Sequence, residues 1–158
     1  MIRHKPIDRK ARSLLSAIHL QTLQELLPEG YRFEFNEERR ILNILSNDPP
    51  RIVAQPQFTR SQWYVLLTLC VSFPHHAPYE NLLSCLTELS VAQCRYRIQQ
   101  AQQADSQALK RELKPIRSSI SGVRVRLEGS KPSLAIRCFH DAGYILARPE
   151  ENEAPVEQ

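Results

Sequence analysis

Four cysteines and five histidines are the side chains of this 158-residue chain best suited to metal or nucleophilic chemistry. Cys70, Cys85, Cys94 and Cys138 contain no C-x-x-C pair, the spacing a zinc knuckle or redox dithiol needs. Cys70, Cys85 and Cys138 fall within apolar patterns and read as buried free thiols. His75 and His76 adjoin in a proline-flanked loop, without a second ligand pair at helical or knuckle spacing. No metal is therefore expected. Cys138 and His140 would share one face of a strand, with Asp141 next in line. That pair stands alone, with no complete nucleophile, base and orienting group around it. With four glycines the chain has no phosphate-binding glycine loop, and G-x-S-x-G, H-E-x-x-H and paired-carboxylate constellations are missing. The expectation is a protein that is not an enzyme and carries no cofactor.

Cationic side chains carry more information. Between Lys110 and Arg148 there are nine Lys or Arg and three acids, Glu112, Glu128 and Asp141, a net +6. The whole chain is +4, so the rest sums to −2. Basicity concentrated in this way suits a polyanion, nucleic acid first and an acidic membrane surface second. The plain alternative is a solvated basic surface. Within the segment, Leu113, Ile116, Ile120, Val123 and Leu127 repeat at helical spacing over residues 106–128. A neighbouring face carries Lys114, Arg117, Ser118, Ser121 and Val125, flanked by Lys110 and Arg124. Pro115 either opens a new helix at its first turn or kinks a longer one.

The elements that must position this helix can also be read. Residues 8–27 form an amphipathic helix through Leu14, Leu15, Ile18, Leu23, Leu26 and Leu27, stopped by Pro28-Glu29-Gly30. Tyr31, Phe33 and Phe35 alternate as in a half-buried strand, and residues 41–45 and 51–55 are further strands. Asn36-Glu37-Glu38 is a turn, and 47–50, Asn-Asp-Pro-Pro, is a loop. Thr59 and Gln62 make a capping box for a helix reaching Phe73, with Trp63, Leu66, Leu67 and Cys70 on its apolar face. Pro78 suits the first turn of the next helix, which carries Leu82, Leu83 and Leu86. Ser90 caps a polar helix through Asp105 that packs by Val91, Cys94 and Ile98. Two short β-prone runs, 134–139 and 144–148, enclose a turn at His140-Asp141-Ala142-Gly143 in which Gly143 can take φ > 0. Residues 149–158 hold four Glu and two Pro and read as a disordered acidic tail. Strands first and helices after them indicate an α+β fold. A helix followed by a β-hairpin is the ending of a winged helix.

Two stretches together resemble the OmpR/PhoB-type winged-helix DNA-binding domain of bacterial response regulators. One is Phe58-Thr59-Arg60-Ser61-Gln62-Trp63 with its leucine-rich helix. The other runs from Ile116 through Ile120, Val123, Arg124 and Leu127 to Gly143-Tyr144-Ile145. The likeness spans residues 31–148 and rests on co-linear order. It implies a winged helix-turn-helix domain over 31–148, with a small antiparallel sheet and a C-terminal hairpin wing, preceded by the N-terminal amphipathic helix (1–30) read from the leucines. Residues 89–106 are extra relative to that pattern, at the loop that in the family can contact RNA polymerase. Ser121 and Gly122 stand where the family is often basic, and Arg117 where it often has an acid.

The function expected is a stand-alone transcriptional regulator that binds double-stranded DNA. Its recognition helix, residues 114–128, would enter the major groove. Lys114 and Arg117 would meet base edges or phosphates, Ser118 and Ser121 would make less discriminating contacts, and Lys110 would flank them. Arg124 and Arg126 would neutralise phosphates. Arg137, His140 and Arg148 on the wing would reach flanking backbone or minor groove. The alternative is a protein-interaction module that uses residues 89–106, with RNA polymerase or another regulatory protein as partner. Residues 8–27 could dimerise the chain, although leucines of this kind more often pack on their own sheet. No apolar run reaches the roughly 20 residues of a membrane span, and residues 63–70, the longest, are broken by Thr68. A signal peptide is not expected, so the cytoplasm is the expected location.

Overall fold

The computed structural model describes residues 17–149, with side chains from residue 20 onward. Helix α1 (Ala17–Leu23) runs into a 3-10 turn at Gln24–Leu26. Leu23, Leu26 and Leu27 are buried in the common core. The rest of the helix expected at 8–27, including Leu14 and Leu15, and the acidic tail beyond Pro149 lie outside the described residues. Gln24 fastens α1 to the first strand. Its amide nitrogen donates to the Tyr31 carbonyl at 3.2 Å, and its amide oxygen accepts from the Phe33 N–H at 3.3 Å. Gly30, with φ 94°, takes the left-handed turn between them.

Strands β1 (Tyr31–Asn36), β2 (Ile41–Asn47) and β3 (Pro50–Ala54) form an antiparallel sheet in the order β1-β2-β3. Phe33 pairs with Ile44 and Phe35 with Leu42, so the large apolar residues share one face. The loop expected at 47–50 is tighter than the sequence indicates. Asn47 ends β2, Pro50 begins β3, and only Asp48-Pro49 turns. Proline is tolerated at the first residue of an edge strand because no ladder N–H is needed there.

Helix α2 (Arg60–Ser72) opens on the capping box, with Gln62 N–H donating to Thr59 Oγ1 at 3.3 Å and Thr59 N–H to Gln62 Oε1 at 3.0 Å. Trp63 on this helix meets Phe35 edge-on at 6.2 Å and Phe58 at 6.0 Å, which seats α2 on the first sheet. Next come β4 (Ala77–Pro78), α3 (Tyr79–Leu86), α4 (Val91–Ala104), α5 (Ser106–Glu128), β5 (Ala135–Phe139) and β6 (Gly143–Ala147). Asp105 both ends α4 and caps α5, accepting from Ala108 N–H at 2.8 Å. The second sheet is antiparallel in the order β4-β6-β5. One buried cluster joins both sheets and all five described α-helices. The fold is α+β, with two small antiparallel sheets.

Several sequence expectations need correction. Helix α5 is unbroken across Pro115, so Pro115 does not open a new helix. Proline removes the bond to the carbonyl four residues back, that of Arg111. Both residues are on the exposed side, where water can take that carbonyl. Gly143 does not supply the positive φ of the hairpin turn. His140 (48°) and Asp141 (58°) do, and the turn closes with Ala142 N–H donating to the Phe139 carbonyl at 2.8 Å. A Cβ at Gly143 would instead collide with the Ala77 carbonyl, whose carbon lies 2.8 Å away. Glycine is there so that β4 can approach. Cys138 is exposed and Cys94 is the third buried thiol, with Cys70 and Cys85. His140 lies in the turn beyond β5, so it no longer shares a strand face with Cys138. Strand β4 has no counterpart in the expectations.

Candidate nucleic-acid interface

Helix α5 has 23 residues, about 34 Å of length at 1.5 Å per residue. Leu113, Ile116, Ile120, Val123 and Leu127 are buried, and the helix packs on α2, α3, α4 and β5. Lys110, Lys114, Ser118, Ser121, Val125 and Glu128 are exposed. At 100° per residue all six lie within about 40° of Lys114, a single row along the outer face. The 4-3-4-3 spacing from Lys114 to Glu128 is the outward copy of the inner stripe. The row is cationic at its start, small and polar in the middle, and apolar then acidic at its end.

The remaining predicted residues divide by what holds them. Arg117 is turned about 60° from the row, toward two buried tyrosines. Burial, then the neighbouring Cys138, pushes the Tyr79 phenol up to about 12, and the Arg117 guanidinium beside it pulls the other way. Burial likewise raises Tyr144, and Arg117 opposes it. The two rings meet edge-on at 6.0 Å, with Tyr79 Oη 4.0 Å from Cys138 Sγ. Arg117 is thus shared between the surface and the joint where α5 meets the hairpin.

Arg124 is half-buried and donates from Nη2 to the Ile136 carbonyl at 2.8 Å, tying α5 to β5. Arg148 donates from Nε to the Glu25 carbonyl at 2.9 Å and from Nη2 to the Leu27 carbonyl at 3.0 Å, anchoring the end of the hairpin to the 3-10 turn that follows α1. Arg137 is exposed on β5 and donates from Nη2 to the Arg148 carbonyl at 3.3 Å. Arg126 sits about 120° round α5 from Lys114. There it lines an open groove of about 480 Å³ with Val53, Ala54, Pro56, Val125 and Lys131. His140 is exposed at the hairpin tip, its ring edge-on to Phe139 at 4.4 Å. The structure therefore brings Lys110, Lys114, Ser118 and Ser121 into one row. It sets Arg117 beside that row, leaves Arg137 and His140 exposed on the hairpin, gives Arg124 and Arg148 bonds to backbone, and places Arg126 on another flank.

Gly122 has a steric reason. A Cβ there would press on the Gln62 side chain, with Gln62 Cδ at 3.0 Å, and Gln62 is already engaged with Thr59. The missing side chain lets the start of α2 approach α5. His76 stacks on Phe139 at 4.4 Å and 15°, which gives this histidine a packing role beneath the hairpin. Sequence reasoning missed the Tyr79–Tyr144 pair under Arg117, whereas it placed Val125 on the outer face with Lys114 and Ser121, where it is exposed.

Helix α4 is held to its neighbours by Arg95 to Glu80 at 3.4 Å and Arg97 to Glu112 at 2.9 Å. Tyr96 between them is 62% exposed. Among the described residues no group of three His, Cys, Asp or Glu could hold a metal ion. None of the described helices is long and apolar enough to cross a membrane. Comparison of the chain with family models, with curated proteins and with solved structures finds no match.

Proposed function

We propose that the chain is a winged-helix transcriptional regulator that binds double-stranded DNA. In this reading α5, over residues 114–128, enters the major groove and the β5–β6 hairpin lies on the flanking backbone or minor groove. The observation that carries it is the exposed row on α5, with Lys110 and Lys114 leading into Ser118 and Ser121. Lysines supply the phosphate attraction that gives most non-specific affinity. Serines are short enough to let the helix backbone sink into a groove about 12 Å wide. The order of elements supports the same reading. Helices α2, α3 and α5 lie between an antiparallel sheet and a hairpin, and β4 pairs with that hairpin.

In this reading each cation has a role. Lys110 and Lys114 neutralise phosphates or reach base edges. Arg117 is pre-set by the tyrosine pair and offers a guanidinium whose position costs little entropy to fix. Arg137 and His140 belong to the hairpin surface that meets flanking DNA. Arg124 and Arg148 are positioning residues that hold the hairpin at its angle to α5. The test is fluorescence anisotropy with a labelled random-sequence DNA duplex at low salt. Wild type is expected to bind, and Lys110→Glu/Lys114→Glu to lose at least about ten-fold, since two charges become repulsive. Absence of duplex binding, or equal binding by the variant, refutes the proposal.

A second reading has one observation in its favour, the exposed Tyr96 on α4 beside Arg97 and Arg111. Tyrosine and arginine are over-represented at protein interfaces. That surface suits RNA polymerase or another regulatory protein, and it can coexist with DNA on α5.

A further inference from the structure

Val125 is 69% exposed, more than any other large apolar side chain described. It falls in the row of Lys114, Ser118 and Ser121, about 20° from Lys114 around α5. Exposed valine contributes little to a helix, because its β-branch lowers propensity, and here it covers no core. It has no hydrogen-bonding group, so it cannot read a base by donor or acceptor. It can read the one apolar group on a major-groove edge, the C5-methyl of thymine. Arg126 and Lys131 lie near Val125 against one exposed acid, Glu128, so this end of the helix is net positive and favours a phosphate-bearing partner over an acid-poor protein surface.

We propose that Val125 is a specificity-determining residue whose isopropyl group packs on a thymine methyl in the major groove. Eleven residues separate it from Lys114, about 16 Å along the helix axis. At 3.4 Å per step this keeps the thymine within roughly five base pairs of the Lys114 contact, the limit reached when the helix axis runs along the duplex. The inference rests on the duplex-binding reading and adds to it one base and one contact.

The experiment begins with the tightest duplex recovered from a random pool by the wild-type protein. Each thymine is replaced in turn by deoxyuridine, which pairs identically and lacks only the methyl. One replacement is expected to weaken wild-type binding about four-fold, the worth of one methyl withdrawn from water. The same replacement is expected to leave Val125→Ala unaffected, and circular dichroism confirms that this exposed variant is folded. If the protein selects and binds a duplex but no replacement matters, the thymine contact is overturned and duplex binding stands. The same holds if Val125→Ala responds as wild type does. If no duplex is retained at all, both readings fall.

Discussion

Gly143→Ala is the most informative single-methyl change in this fold. Gly143 pairs with Pro78, and its neighbour Tyr144 with Ala77. An added Cβ would collide with the Ala77 carbonyl and press on His76 Cδ2 at 3.0 Å. The obstruction is backbone, so no side-chain rotation relieves it. Strand β4 must move off β6, and the bond from Tyr79 N–H to the Ala142 carbonyl, 2.9 Å, goes with it. Overpacking of this sort costs about 1–3 kcal/mol, and each lost bond about 1 kcal/mol. The expected destabilisation is about 3 kcal/mol, or roughly 6–12 °C in Tm for a chain of this size. Urea unfolding followed by the single tryptophan, Trp63, gives the global figure. Near-ultraviolet dichroism of Tyr79 and Tyr144 reports the hairpin joint. Gly129→Ala is the control, because its φ is −81° and a Cβ there meets only carbonyl oxygens at 3.4 and 3.8 Å. It should change stability by less than about 0.5 kcal/mol. A Gly143→Ala protein as stable as this control would refute the close approach of β4 as the reason for glycine.

Two more outcomes are expected from the buried thiols and phenols. A disulfide reagent should modify Cys138 in the native protein and reach Cys70, Cys85 and Cys94 only on unfolding, as peptide mapping of the labelled chain would show. Burial raises Cys70 to about 12, and burial first with Cys138 second raises Tyr79 to about 12. Both groups keep their protons in the folded state at pH values where the unfolded chain has released them. Their contribution is complete below about pH 9, the ordinary thiol range, and is lost as pH rises toward 12. Urea midpoints should therefore fall steadily between pH 9 and 11, and a flat profile would contradict the burial of these groups.

Much of this architecture was legible because it is written in short-range patterns. The capping box at Thr59 and Gln62, the bounds of α5, and the alternation of Phe33 and Phe35 each have a local cause that survives in the fold. The inner stripe from Leu113 to Leu127 is buried as its period requires. What was not legible depends on residues distant in sequence. Strand β4 is two residues long and contains proline, so no periodicity announces it, and only β6 and Gly143 give it a place. Arg124 and Arg148 look like any surface cations until the carbonyls of Ile136, Glu25 and Leu27 come within reach. Cys138 sits in an apolar run and shares a strand face with buried Ile136, yet it lies near the open end of β5 and is exposed. Pro115 misleads because its cost depends on which side of the helix faces water.

Duplex binding by the exposed row on α5 can be read from how affinity for a random duplex depends on salt. If Lys110, Lys114, Arg117 and the hairpin's Arg137 each neutralise one phosphate, log affinity should fall against log salt with a slope of about −3.6. Lys110→Ala/Lys114→Ala should reduce that slope by about 2. A slope near zero, or one the double variant leaves unchanged, would contradict the assignment of DNA binding to this face.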